Sequence, residues 1–377
     1  MRFTISTFSA LLALLTVCQS ACGQISPGYS PLPYEDVALG IPVDHSHSSY
    51  PDAGDFHTAI SSPPVAPLHP GVDPRLGLPT LFDVHHTNLF ADFLFLAPRE
   101  LDVVFATHVD GPVENAAPLA SPAVVNPDYD QGIRFGLRHT FSDCFRVTAT
   151  GWLYVNSWTE SLTLPVNTGW IRSEVTHPST ASIFNDSLAA RAREDVEFLM
   201  GDLELEWLVH RSVSRAFTFN FGVRYAELEQ DFHGNYLIDG PTTVGSAISY
   251  HGVGPRVGLE AVTLVKRGIT VYGEAFADIL FGEIDAAYRQ QNAGAGTQFS
   301  VESGDEFRVV PQLEAELGIG WQNCDGSVLV RAGYFAGFWF NVTRMPSWIR
   351  SVQNDGVSAT HESIIFDGLT ARLEVRF

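Results

Sequence analysis

Over residues 369–377 every second residue is apolar: Leu369, Ala371, Leu373, Val375 and Phe377. The residues between are Thr370, Arg372, Glu374 and Arg376. A period of two marks a β-strand with one apolar and one polar face. The pattern recurs in ten runs, at 88–107, 132–141, 145–158, 195–209, 217–230, 248–265, 269–284, 306–321, 327–342 and 363–377. In the run 306–321, Leu313, Ala315, Leu317, Ile319 and Trp321 share one face, opposite Gln312, Glu314 and Glu316. Pro98, inside the first run, predicts a bend or bulge. The gaps between runs alternate: 108–130 is long and "SDC" short, 159–194 long and "HRSVSRA" short, with "KRG" and "QNCDG" as further short turns.

An even number of long in-phase runs, joined by alternating long and short gaps, predicts an all-β fold. The expected architecture is an antiparallel up-and-down transmembrane β-barrel of about ten strands over 87–377, with long extracellular loops and short periplasmic turns. A sandwich or propeller predicts shorter strands at spacings of about 8–12 residues. The last strand must pair with the first, because an open edge in lipid leaves backbone amides without partners. Within the long gap 159–194, "NDSLAARARED" (185–195) predicts a short helix behind an Asn/Asp cap.

The N-terminus has a different character. Arg2, the apolar run 8–17 and the small residues of "QSACGQ" predict a signal peptide over 1–23, cleaved before Gln24. The apolar run is too short to span a bilayer. Cys22 leaves a lipoprotein alternative open, against which Gln19 argues. Residues 24–86 form a Pro/His-rich segment expected to be a flexible periplasmic tail; 24–81 alone holds eleven of the 22 prolines. Its histidines, His45, His47, His85 and His86, are expected to be solvated rather than to hold a metal, and no cofactor is implied. Localisation in a bacterial outer membrane follows, with outer-membrane lipid and the barrel-assembly machinery as partners.

Charge sharpens the picture. The net charge is -21 and Lys266 is the sole lysine, which excludes the basic stripe that a nucleic-acid partner requires. In a barrel, the polar face of each run lines the lumen. The basic candidates are Arg134, Arg138, Arg146, Arg224, Arg256, Arg308, Arg331, Arg372 and Arg376. The acidic ones are Asp202, Glu204, Glu206, Glu260, Glu274, Asp278, Glu314, Glu316 and Glu374. Nine of each sign fit either separated charge rings in an open pore or a salt-bridge ladder that fills it. Ten strands leave at most a narrow path, since a wide channel takes about 16–18. Glu314 is expected to tolerate reversal to arginine and Leu313, facing lipid, is not.

The segments "DLELEW…FTFNFGVRYAELEQDFHG", "VVPQLEAELGIGW" and "FDGLTARLEVRF" resemble the Legionella major outer-membrane protein family, a group of pore-forming outer-membrane barrels. The resemblance extends in layout over 87–377. It implies an integral outer-membrane pore and names no substrate. Phe377 would lie on the lipid face as part of the signal read by the assembly machinery. The expected function is a narrow porin-like channel for ions or small solutes. The alternative is a non-conducting structural or anchoring barrel with a salt-bridged lumen and exposed loops. An enzyme is not expected: G-x-S-x-G, G-x-G-x-x-G and H-E-x-x-H are missing, and His108 with Asp110 is the one close pairing among the loop-side residues His108, Asp110, His177 and His233. Cys144 and Cys324 fall in turns about four strands apart, beyond disulfide reach.

Overall fold

A computed structural model describes residues 72–73, 78–79, 86–111, 116–165, 168–178, 189–212, 214–238, 240–266, 268–293, 296–356 and 360–377. The segment 1–23 and nearly all of 24–86 lie outside the described residues. What is described of the latter includes one minimal antiparallel pair, β1 (Val72–Asp73) with β2 (Leu78–Pro79).

Ten strands close into an antiparallel barrel. In chain order they are β3 (Thr87–Arg99), β6 (Asp130–Ser142), β7 (Phe145–Thr163), β9 (Ala189–Arg211), β10 (Arg215–Ile238), β11 (Gly240–Lys266), β12 (Ile269–Asn292), β13 (Thr297–Gln322), β14 (Val328–Val342) and β15 (Glu362–Arg376). Three further strands, β4 (Val103–Val109), β5 (Ala123–Val125) and β8 (Trp170–Ser173), form a separate small sheet. β15 pairs with β3 to close the wall. Thr87 and Phe377 exchange both backbone hydrogen bonds at the seam, at 3.1 and 2.9 Å. Phe377 itself is exposed on the outer face.

The outer surface carries an apolar belt. On β9 it comprises Leu199, Leu203, Trp207 and Val209; on β13, Leu313, Leu317, Ile319 and Trp321. The β9 stretch 199–209 spans about 25 Å along the barrel axis at ordinary rise and tilt, the height of a bilayer core. Above it the alternation inverts without a break in pairing. On β10, Phe217, Val223 and Tyr225 face outward within the belt, whereas the outward positions further up are Glu227, Glu229, Asp231, His233 and Asn235. There the buried, inward positions are Leu228, Phe232 and Tyr236. Side chains on β10 still alternate, but polar residues have replaced apolar ones outside and an apolar core has replaced the charged interior.

This inversion corrects several expectations. The predicted loops 231–247 and 289–304 are mostly strand, paired as far as Ile238 with Gly240 and Asn292 with Thr297, with one register shift between Ile284 and Ala286. Apolar residues there occupy the opposite parity, so a fixed phase reads them as gaps. The predicted helix over 185–195 is also overturned within the described residues: Ala189 onward belongs to β9, with Ala190 and Ala192 inward and Arg191 and Arg193 outward. The run 88–107 breaks at Glu100, whose φ is 66°. Pro98 pairs normally opposite Phe366, and the chain beyond Glu100 leaves the wall for the small sheet.

One helix is present among the described residues, α1 (Met345–Gln353), in what reads as a loop. Pro346 stands in its first turn, where a missing N–H costs nothing. Met345, Trp348, Ile349 and Val352 are its buried face, an i, i+3, i+4, i+7 set that the sequence displays openly.

Candidate functional site: the barrel interior

Strand alternation sends the even-numbered residues of β9 to β13 inward, so at the level of the apolar belt the interior is a lattice of arginines and carboxylates. Arg224 of β10 is fully buried. It bonds Asp202 at 2.6 and 2.9 Å, Asp278 at 3.3 Å, the Gln312 side-chain oxygen at 3.1 Å, and Glu314. Arg256 of β11 bonds Glu204 at 2.5 Å, Asp278 at 2.7 Å and Glu314 at 2.9 Å. Across the barrel, Arg134 and Arg372 grip Asp92, and Arg134 also reaches Glu316 at 2.9 Å. Nearer the short turns, Arg138 and Arg146 share Glu206, Arg331 bridges Glu260 and Glu274, and Arg376 holds Glu374 at 2.8 Å.

Aromatic faces back these guanidinium groups. Arg256 stacks 3.9 Å from the Phe276 centroid, Arg134 4.4 Å from Trp152, Arg372 4.4 Å from Phe90 and Arg331 4.7 Å from Tyr272. Stacking and forked hydrogen bonds together fix each group in one orientation. Two small voids lie between them. One of about 30 Å³ lies among Arg138, Arg146, Glu260, Arg331 and Arg376, room for about two waters. Another of about 10 Å³ lies near Arg134, Arg256 and Glu274.

Of the predicted lumen residues, Arg308 departs from this lattice. It sits higher, donating to the Thr343 hydroxyl at 3.0 Å and the Thr360 carbonyl at 2.8 Å while pairing with Glu306. Its role is to hold the loop that carries α1. Glu314, expected to tolerate reversal, is instead engaged by both Arg224 and Arg256, so an arginine there would place three cations together. Asp92 escapes a sequence reading because Phe90 and Leu94 flank it on the same face and disguise that face as apolar.

Above the lattice, segments from three loops fill the interior. Leu101, Val103, Phe105 and Val125 of the first loop, Ile171 and Val175 of the second, and α1 form one buried core with the wall residues Phe198, Phe232, Ile248, Tyr288 and Phe366. Wall tyrosines tie the inserted backbone down. Tyr236 donates to the Phe105 carbonyl and Tyr288 to that of Val175, each at 2.8 Å; Tyr154 donates to the Leu96 carbonyl of the wall strand β3 at 3.2 Å. Gln230 bonds the Thr343 carbonyl and the Met345 amide at the start of α1. Gln353 at its end bonds the Glu174 and Thr176 carbonyls.

The loop-side histidines do not assemble around a common point. His108 contacts the Thr168 carbonyl at 3.0 Å, while Asp110 accepts from the Ala117 amide at 2.8 Å. His177 stacks on Phe299 and approaches Asp355. His233 faces outward. No group of three metal-ligating side chains occurs among the described residues. Cys144 and Cys324 are not disulfide-linked.

A closed antiparallel wall with an apolar belt outside and charges inside defines a transmembrane β-barrel of the bacterial outer membrane. Residues 85–377 match the family described as Legionella pneumophila major outer membrane protein precursor, and the chain belongs to that family. Among curated proteins none matches. Among solved structures, the outer membrane protease OmpT from Escherichia coli is similar over 78% of this chain and 97% of its own, at 11% identity and a TM-score of 0.41. A Pseudomonas aeruginosa FadL homologue covers 78% and 90%, at 9% identity and 0.26. The Pseudomonas putida toluene transporter TodX covers 78% and 90%, at 7% identity and 0.23.

Proposed function

We propose that this protein is a closed, non-enzymatic outer-membrane barrel that anchors and presents its extracellular extension. The observation that carries this reading is the lattice around Arg224 and Arg256. Forked, stacked ion pairs cross the lumen at bilayer level, and the inserted loops form a second seal in series above them. An ion crossing the barrel would have to break several buried pairs, each break leaving an uncompensated charge at a cost of about 3–5 kcal/mol. A narrow channel for ions or small solutes is the second reading. It is favoured by the polar void among Arg138, Arg146, Glu260, Arg331 and Arg376, which gives solutes a foothold at the short-turn end. In both readings lipid surrounds the belt, a signal peptide over 1–23 exports the chain, and the assembly machinery reads Phe377. Purified protein in planar bilayers separates the two. A silent membrane with correctly folded protein is the expected result; discrete conductance steps from the wild type would replace the closed barrel with the channel.

A further inference from the structure

On the outer wall, well above the apolar belt, the three outward arginines Arg191, Arg193 and Arg289 gather on strands β9 and β12. They line an open cavity of about 580 Å³ together with His233, Asn235 and Gln291. The register explains the grouping. Arg193 pairs across to His233, His233 to Gly245 and Gly245 to Arg289, so these four form one row. Arg191, Asn235, Thr243 and Gln291 form the next row up. Gly245 leaves the floor between His233 and Arg289 low: a Cβ added there would meet nothing nearer than the His233 ring at 3.7 Å.

From this grid we infer a binding site for an oligosaccharide that carries more than one phosphate group. In a chain of net charge -21, a grid with three cations and no carboxylate in either row is anomalous. Among the described residues Arg191 and Arg289 have no ion-pair partner, unlike Arg193, which is held by Asp195 at 2.8 Å. Three strand spacings separate Arg193 from Arg289, about 14 Å, too wide for one phosphate and suited to two anionic groups on linked sugars. Arg191 and Arg193, two apart on one strand, offer donor forks to the first group, and Arg289 takes the second. His233, Asn235 and Gln291 supply donors and acceptors for sugar hydroxyls between them.

Height and neighbouring charge identify where such a ligand comes from. His233 is eight residues above Tyr225, the top of the belt on β10, which places the grid about 20 Å beyond the lipid core. A lipid phosphate sits lower than that. The rows between belt and grid carry Asp195, Asp231, Glu197, Glu229, Asp285 and Glu283 on the outer face, and repel phosphates at the membrane surface. The ligand therefore engages through its saccharide, either as the sugar portion of an outer-leaflet glycolipid or as a free surface glycan. This inference does not depend on whether the lumen conducts.

The test uses the refolded or purified full chain in detergent and titrates three probes: intact rough lipopolysaccharide, its deacylated phosphorylated core oligosaccharide, and the same oligosaccharide after phosphatase treatment. The expected result is binding of the deacylated core that weakens at least tenfold on phosphatase treatment. It should weaken at least tenfold again in an Arg191→Ala/Arg289→Ala protein that keeps its heat-modifiable mobility on gels. Arg215→Ala, at the short-turn end, should bind as the wild type does. Tighter binding of the intact glycolipid than of its core, lost in the same double variant, assigns the source to the outer leaflet; equal binding assigns it to free glycan. Equal affinity of wild type and double variant, indifference to phosphatase, or binding of the intact glycolipid alone with no effect of the substitutions each overturns the site.

Discussion

Arg224 sits at 0% exposure with three carboxylates and one amide in contact. Arg224→Ala removes the cation and leaves Asp202, Asp278 and Glu314 facing one another, with Arg256 alone to compensate. A loss of about 3–5 kcal/mol is expected, read as a lower urea midpoint in detergent unfolding. Leu313 makes the complementary case on the outer face. Leu313→Arg sets a charge against the bilayer interior and should cost about 2–4 kcal/mol near the midplane. Leu313→Val, measured in the same way, should stay close to the wild type. At this scale the sequence was informative wherever the polar residues of one face were consecutive, as from Asp202 to Glu206. It was silent where a lone carboxylate stood between Phe90 and Leu94, because Asp92 owes its place to Arg134 and Arg372, which come from other strands.

Among elements, the strands in the belt were legible and their upper halves were not. A residue's environment is set by parity and by height together, and only parity is written in local alternation. Where the apolar belt ends, the apolar positions of β9 to β12 change parity while the backbone runs on, so a strand looks like a loop that begins at its own midpoint. The helix α1 was legible in principle from Met345, Trp348, Ile349 and Val352, but its context among long gaps hid it. Trp348 is fully buried beneath the loops. Trp348→Ala should therefore cost about 3–5 kcal/mol locally and loosen the inserted segments rather than the wall. Hydrogen exchange is expected to show faster exchange at 345–353 and 100–109, with the belt strands β12 and β13 unchanged.

For the molecule as a whole, orientation follows from the turns. The turn between β13 and β14 holds Cys324, which is exposed, and it belongs to the short-turn end that faces the periplasm in barrels of this kind. A membrane-impermeant maleimide should leave Cys324 unlabelled on intact cells and label it after the outer membrane is permeabilised. Labelling on intact cells would invert the barrel. The same experiment with a cysteine placed at Gln291, in the upper grid, should give the opposite result.

The level at which parity inverts also acts as a depth gauge. Below it the outer wall is apolar; above it, on β9, β10 and β12, stand carboxylates. Raising the barrel would strip Tyr225, Val253 and Phe281 of lipid, and sinking it would drive Glu227, Glu229 and Glu283 into hydrocarbon. Vertical drift is thus opposed from both directions, whereas mismatch in apolar length alone is resisted by only fractions of a kcal/mol per Å. The chain is therefore expected to set its own draught in the membrane, and a thinner or thicker bilayer should deform around it before it moves.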